Sequence, residues 1–185
     1  MSRQTFTDAA LPGPDTAATA LASFTSEANL WNPAIETPIP ALDLVAGKMY
    51  LLRCGGIMQS ASAINWTFTP RFGQSSTPAS NISLVASAVV PTTGTVPASS
   101  PWWAEFLLTC QKSGIVASGS TIIGTGFIIL PNTATAFGLA VPMGGTSSAV
   151  ADRTSAQGLV LSATCGTSSA TNSIQALWRT LQALN

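Results

Sequence analysis

The chain of 185 residues contains no histidine. Without an imidazole, neither a Ser-His-Asp nor a Cys-His catalytic arrangement can be assembled from its side chains. A metal site would depend on scattered carboxylates, and no pair of carboxylates stands in a local pattern typical of a glycosidase. The sequence therefore predicts a protein that is not an enzyme, with no catalytic residues, no metal site and no cofactor.

Charge is also scarce. Seven acidic and seven basic residues make up 8% of the chain and give a formal net charge of zero, whereas soluble proteins average about 25% charged residues. Proteins that bind nucleic acids or anionic membranes need an excess of positive charge, so we expect neither partner. A monomer with so little charge is expected to be poorly soluble, which favours a symmetric oligomer held on a larger assembly.

Long apolar runs are missing too. The longest cover residues 106–110 and 122–130, well below the ~20 residues of a membrane-spanning helix. The first 15 residues have no apolar stretch of the kind that signal peptides carry, so we expect no signal peptide there. The three cysteines, Cys54, Cys110 and Cys165, are widely spaced, and we interpret them as buried free thiols of a protein assembled in a reducing cytoplasm.

Residues 1–30 differ in composition from the remainder of the chain. Pro12, Gly13 and Pro14 interrupt any regular element near the start, which predicts an extended N-terminal arm, with a disordered tail as the alternative. Spaced apolar residues are available to anchor such an arm against a neighbour: Phe6, Leu11, Leu21 and Phe24.

From residue 31 onwards the pattern is typical of β structure. Ile64, Trp66 and Phe68 alternate with polar residues, which places the three apolar side chains on one face of a strand. Turn-rich segments, including residues 91–101 and 142–148, are predicted to be loops. Strands are predicted at residues 48–54, 64–69, 82–90, 103–112, 115–123, 127–130 and 158–165. With a further strand at the C-terminus, the chain is expected to form an all-β sandwich of about eight strands.

Glycine and proline mark expected ends of strands. Gly55 and Gly56 are predicted to end the first strand, and the segment 124–126, Gly-Thr-Gly, is predicted to be a turn or a bulge. These glycines lack the lysine of a phosphate-binding loop. The prolines of residues 33–40 predict an extended segment that leads into the first strand, at an edge position.

The C-terminal segment carries two competing patterns. Helical spacing relates Ile174, Leu177, Trp178, Leu181 and Leu184. Alternation instead places Ile174, Ala176 and Trp178 on one face of a strand. The all-β context favours a strand, because a lone terminal helix would interrupt the sandwich.

Trp102 and Trp103 are adjacent in a predicted strand. Neighbouring side chains of a strand point to opposite faces, so one of the two indoles is expected to face outward. An outward indole is typical of a ring beneath a loop, of a subunit contact, or of a platform on which a sugar stacks.

A series of short motifs, in order and spacing across residues 30–185, resembles a family of single-domain jelly-roll proteins that decorate the heads of tailed bacteriophages. The motifs are Leu30-Trp31-Asn32-Pro33, Ile39-Pro40-Ala41-Leu42, Ala46-Gly47-Lys48-Met49-Tyr50, Gly55-Gly56, Trp66-Thr67-Phe68, Arg71-Phe72-Gly73, Trp102, Glu105-Phe106, Gly114, Ala117-Ser118-Gly119, Thr154, Gln157 and Asn172-Ser173-Ile174.

The resemblance implies an antiparallel jelly-roll β-sandwich over residues 31–185, preceded by the arm of residues 1–30. Proteins of this family bind the outside of an assembled capsid, commonly as trimers, and stabilise it. The expected partners are therefore the major capsid protein and further copies of this chain, on the outer capsid surface of a virion assembled in the host cytoplasm. The contact candidates are Phe6, Leu11, Leu21, Phe24, Trp31, Trp102 and Trp103.

Two alternative functions stay open on the same fold. One is a tail, baseplate or head-fibre module that contacts the host surface, because jelly rolls serve many structural roles. The other is a carbohydrate-binding module, in which Trp102 or Trp103 stacks against a sugar. Carbohydrate is thus an alternative partner.

Overall fold

The computed structural model of the chain describes residues 20–84, 88–114, 119–144, 149–151 and 154–184. These residues form two antiparallel sheets that pack face to face as a β-sandwich. The predicted all-β class is confirmed. Phe6 and Leu11, the first two contact candidates, lie outside the described residues.

The larger sheet has the strand order β1-β13-β4-β8-β9-β10, and β11 also pairs with β9. Its strands are β1 (Leu21–Ala22), β4 (Met49–Ser60), β8 (Val96–Lys112), β9 (Ser120–Ile129), β10 (Val141–Gly144), β11 (Ala149–Ala151) and β13 (Ser173–Ala183). The long strands β13, β4 and β8 lie side by side and form one broad surface. Trp103 of β8 and Trp178 of β13, discussed below, lie on it.

The smaller sheet has the order β2-β12-β5-β6, while β3 pairs with β12 and β7 pairs with β5. Its strands are β2 (Ala28–Asn29), β3 (Pro38–Ile39), β5 (Asn65–Phe72), β6 (Ile82–Ser83), β7 (Ala88–Pro91) and β12 (Gln157–Cys165). One α-helical turn, α1 (Pro33–Glu36), and one 3₁₀ turn, Pro78–Ser80, lie in the connections.

The core lies between the inner faces of the two sheets. Trp66, Phe68 and Phe72 of β5 are fully buried, as are Leu52 of β4 and Phe106 of β8. The predicted alternation of residues 64–69 is confirmed, because period-2 patterning sends one side chain of each pair inward. Burial of such side chains is worth roughly 1.5–3 kcal/mol each.

Two predicted strand ends are wrong. Strand β4 continues through Gly55 and Gly56 to Ser60, and β9 is one strand across residues 120–129 where two strands separated by a turn were expected. A side chain at residue 124 would collide with the ring of Phe106. The glycines therefore allow neighbouring groups to pack closely against the strand backbone. Such close packing is a common reason for glycine in a strand interior.

Strands also extend into two predicted loops. Strand β8 begins at Val96, so the second half of residues 91–101 is strand, and β10 occupies Val141–Gly144, with residues 145–148 outside the described part. The described residues contain thirteen strands where about eight were expected. The additional ones have two to four residues, too few for a period-2 pattern to show in the sequence.

The described part of the predicted arm belongs to the sandwich. Strand β1 pairs with β13, and β2 pairs with β12. The ring of Phe24 lies 5.9 Å from that of Trp66, centre to centre. Residues 20–30 thus contribute to both sheets, which leaves residues 1–19 as the segment to which the arm hypothesis still applies.

The predicted extended segment of residues 33–40 contains the helical turn α1. Pro33 occupies its first position and Asn32 its N-cap, where the Asn32 Oδ1 accepts a hydrogen bond from the Ala34 N–H at 3.1 Å. Both residue types favour a helix start. The C-terminal segment is strand β13, as predicted from the all-β context.

Candidate functional site

The adjacent tryptophans of β8 lie on opposite faces of the larger sheet. Trp102 is buried and donates a hydrogen bond from its Nε1 to the Gln175 carbonyl at 3.1 Å. Trp103 remains 39% exposed on the outer face. The prediction that one indole faces outward is confirmed. Trp102 contributes to this chain's own core, so only Trp103 of the pair offers surface to a partner.

Three further contact candidates also pack within this chain. Trp31 is buried and donates a hydrogen bond from its Nε1 to the Thr37 Oγ1 at 3.0 Å. Leu21 and Phe24 are partly buried against the core. These side chains stabilise the sandwich itself. Trp31 is closed to a partner, and Leu21 and Phe24 expose only part of their surface.

A β-bulge in β13 determines where its aromatic residue lies. The pairing of β13 with β4 shifts register between Ala176 and Trp178. Ile174 and Ala176 point inward, as alternation predicts, whereas the extra residue Leu177 is 52% exposed and Trp178 is 39% exposed. A bulge re-aims the side chains that follow it. The expectation that Trp178 shares the inner face of Ile174 is therefore wrong.

The re-aimed indole joins an aromatic surface. Trp178 pairs with Gly55 of β4, and Gly55 pairs with Trp103 of β8, so both indoles lie on the outer face of the larger sheet. The ring of Phe127 on β9 meets that of Trp103 edge to face at 5.3 Å. We call Trp103, Phe127, Leu177 and Trp178 the aromatic patch. Of these four residues, only Trp103 is a contact candidate predicted from the sequence, which left open whether Trp102 or Trp103 faces outward.

An ion pair borders this patch. The Arg53 Nε donates a hydrogen bond to the Glu105 Oε2 at 2.8 Å, and the two side chains are 49% and 28% exposed. Arg53 and Glu105 pair directly across β4 and β8, two residues along each strand from Gly55 and Trp103 and therefore on the same face. Phe127 pairs with Glu105 on the other side. The charges therefore stand among the rings on the same outer face.

A second apolar surface lies at one end of the sandwich, in the connection from β3 to β4. We call residues 40–48 the crossover loop. Leu42 is 55% exposed and adopts a φ of 65°, a left-handed conformation that costs a residue with a Cβ roughly 1–2 kcal/mol. Val45 is exposed close by along the loop. Strained, exposed positions of this kind concentrate at functional sites.

The crossover loop is held in place by polar contacts. The Tyr50 hydroxyl donates a hydrogen bond to the carboxylate of Asp43, and the Lys48 Nζ lies 3.1 Å from the Asp43 Oδ1. Burial, this hydrogen bond and the carboxylate charge all raise the pKa of Tyr50, so its phenol stays protonated as a donor. The exposed leucine and valine thus stand on a fixed loop.

A buried ion pair connects α1 to the larger sheet. The Arg179 Nη2 pairs with the Glu36 Oε2, and the Arg179 guanidinium carbon lies 5.9 Å from the ring centre of Trp31. Burial lowers the pKa of Arg179. The Glu36 Oε1 also accepts from the Asn32 N–H at 3.2 Å. The bulge that turns Trp178 outward is what points Arg179 inward to this site.

The described residues contain no group of three or more side chains able to hold a metal ion. None of the helices in the described part of the chain has the length and apolar character needed to cross a membrane. No family model, curated protein or solved structure matches the chain.

Proposed function

We propose that this protein is a virion structural protein that binds the outer surface of a phage capsid and stabilises or decorates it as a homotrimer. The observation that carries the proposal is the crossover loop, a fixed loop that presents Leu42 and Val45 at one end of a nearly uncharged sandwich. Apolar side chains on a rigid support lose little conformational entropy on binding. Repeated over many copies, such modest contacts add up to strong attachment.

The strand order supports a jelly roll for the finer fold. Neighbouring strands come from opposite ends of the chain, in the order β1-β13-β4-β8 in one sheet and β2-β12-β5-β7 in the other. The chain also passes repeatedly from one sheet to the other, at β1 to β2, β3 to β4, β4 to β5, β7 to β8, β11 to β12 and β12 to β13, as in two wrapped Greek keys. On this proposal β9, β10 and β11 extend the β8 edge of a jelly roll.

The test is co-sedimentation of the purified protein with assembled capsids, with its oligomeric mass measured by light scattering. Val45→Ser should lower capsid binding at least about tenfold, since loss of a buried apolar contact costs about 1.5 kcal/mol. Leu139→Ser, in a different loop and also exposed, is the matched control and should bind normally. Equal binding by both variants would overturn the assignment of the crossover loop.

The arm hypothesis is tested by deleting residues 1–19. Removing residues 1–25 would delete β1 and Phe24 and disturb the core, whereas removing residues 1–19 leaves every described contact in place. We propose that residues 1–19 help attach the trimer to the shell. The shortened chain should fold, remain a trimer and bind capsids less well. Unchanged binding would limit the contact to the sandwich.

A further inference from the structure

We infer that the aromatic patch, together with the Arg53–Glu105 pair, is a binding site for a neutral, extended β-1,4-linked glycan chain. The site lies on the outer face of the larger sheet, away from the crossover loop that carries the proposed capsid contact. It would give the protein a second activity, attachment to a polysaccharide, in addition to its structural role.

The two exposed indoles stand in one row across the outer face of the larger sheet. Trp178 and Trp103 are separated by one strand, at Gly55, which corresponds to about 10 Å between their backbones. A β-1,4-linked chain is ribbon-like and presents an apolar face of C–H groups to one side at intervals of two sugars. Aromatic ring faces attract such partly positive edges. Two rings in one row, with the Trp178 ring leaning over Gly55 of the strand between them, therefore offer an apolar strip to one face of an extended chain.

The rings are already fixed before any ligand arrives. Phe127 meets Trp103 edge to face, with an angle of 89° between the ring planes. Trp178 lies against Gly55, where a Cβ would come within 2.6 Å of its Cζ2. Side chains held in this way lose little conformational entropy on binding. Most of the free energy of the weak stacking contacts therefore contributes to affinity.

Polar groups for the sugar hydroxyls stand beside the rings. The single hydrogen bond from the Arg53 Nε to the Glu105 Oε2 leaves both terminal nitrogens of Arg53 and the Glu105 Oε1 without partners among the described residues. Neighbouring hydroxyls of a sugar can accept from a guanidinium and donate to a carboxylate at the same time. The pair therefore offers donors and an acceptor next to the stacking surface.

Charge decides which occupant fits. Arg53 and Glu105 neutralise each other, and no other charged residue lies on the described strands β4, β8, β9 and β13 of this face apart from Lys112 at the far end of β8 and the inward Arg179. An acidic or basic polymer gains no attraction here. A dry protein interface would remove water from the ion pair, and this desolvation would cost binding free energy. The hydroxyl groups of a sugar instead replace that water with hydrogen bonds of their own.

The test is calorimetric titration of the full chain with cellohexaose and with the hexamer of β-1,4-linked N-acetylglucosamine, followed in parallel by tryptophan fluorescence. At least one probe should bind with a blue shift of the emission, and maltohexaose, whose α-linkages coil the chain, should bind at least about tenfold more weakly. Absence of heat and of a fluorescence change with both β-linked probes at millimolar concentration would overturn the site. Equal binding of maltohexaose would overturn the two-ring geometry.

Variants separate the site from the fold. Trp178→Ala and Trp103→Ala should each weaken binding about tenfold, and Glu105→Gln, which keeps the side-chain shape, should weaken it less. Phe137→Ala, an exposed aromatic outside the patch, is the matched control and should bind as the unchanged protein does. Circular dichroism is used to check that each variant is folded. Normal affinity of a folded Trp178→Ala variant would refute the assignment, irrespective of capsid binding.

Discussion

The ring of Trp178 lies directly against Gly55 on the neighbouring strand, so that a Cβ at residue 55 would stand 2.6 Å from its Cζ2 and 2.8 Å from the Trp102 carbonyl oxygen. This contact exists because the bulge at Leu177 turns Trp178 to the outer face. Absence of a side chain at residue 55 is thus a structural requirement of the aromatic patch.

Gly55→Ala should destabilise the protein. The added methyl group displaces the Trp178 ring and presses on backbone that cannot move freely, which typically costs about 1–3 kcal/mol. Urea unfolding measures the change in the free energy of unfolding. The control is Gly94→Ala, where the nearest atom to a new Cβ is the Thr133 Cγ2 at an ordinary 3.7 Å, and we expect a change within about 0.5 kcal/mol. Equal effects of the two variants would contradict the packing argument.

Arg179→Leu should be strongly destabilising, by about 3 kcal/mol, because it leaves the Glu36 carboxylate without its partner beside Trp31. Arg53→Leu removes an exposed ion pair and should cost less than about 1 kcal/mol. The double variant Arg179→Leu with Glu36→Leu should recover part of the lost stability. Thermal and urea unfolding check all three, and a similar loss for the two single variants would argue against a buried pair.

Stability should depend on pH through Glu27. Burial raises the pKa of Glu27, but hydrogen bonds from Arg71 and Ser162 and the charge of Arg71 outweigh it, so the pKa is lowered from 4.5. A lowered pKa in the folded state adds stability above the unfolded value, and this is lost as pH falls through the folded value.

The stability difference between the unchanged protein and Glu27→Gln should therefore be constant above about pH 5 and shrink at lower pH. Melting temperatures from pH 7 down to about pH 3 measure it. A difference that stays constant to the lowest pH would mean that Glu27 is not held as a carboxylate by Arg71.

Native thiols should react slowly. All three cysteines are free and buried, and burial raises the pKa of both Cys54 and Cys165. Since the thiolate is the reactive form, a disulfide reagent at pH 8 should label the native protein only as it opens, and label all three thiols at once in denaturant. Rapid labelling of the folded chain would show that a thiol is accessible.

Leu42→Asn should keep or raise stability while it weakens capsid binding. Asparagine tolerates the left-handed conformation better than leucine, so the free energy of unfolding is expected to change by 0 to about +1 kcal/mol. The exposed leucine loses little burial on replacement. Unfolding curves and capsid co-sedimentation are measured on the same preparation. A clear loss of stability would show that Leu42 supports the loop rather than a partner.

Local patterns predicted what depends on local geometry. The alternation around Trp66 and Phe68 predicted a strand and the face that it buries. The adjacency of Trp102 and Trp103 predicted that one indole faces outward. The structure has both features. The scarcity of charge and the burial of free cysteines also follow from composition. These features need only the period of a strand and the side-chain chemistry of its residues.

The sequence alone determined an all-β chain, its main strands and its nearly uncharged surface, because hydrophobic period and composition are properties of the chain itself. Only the tertiary structure decided that β4 and β9 run through their glycines, that Arg179 lies beside Glu36, and that Trp178 stands across Gly55 from Trp103. These depend on register between strands distant in sequence, and one extra residue in a strand reverses the faces of all that follow.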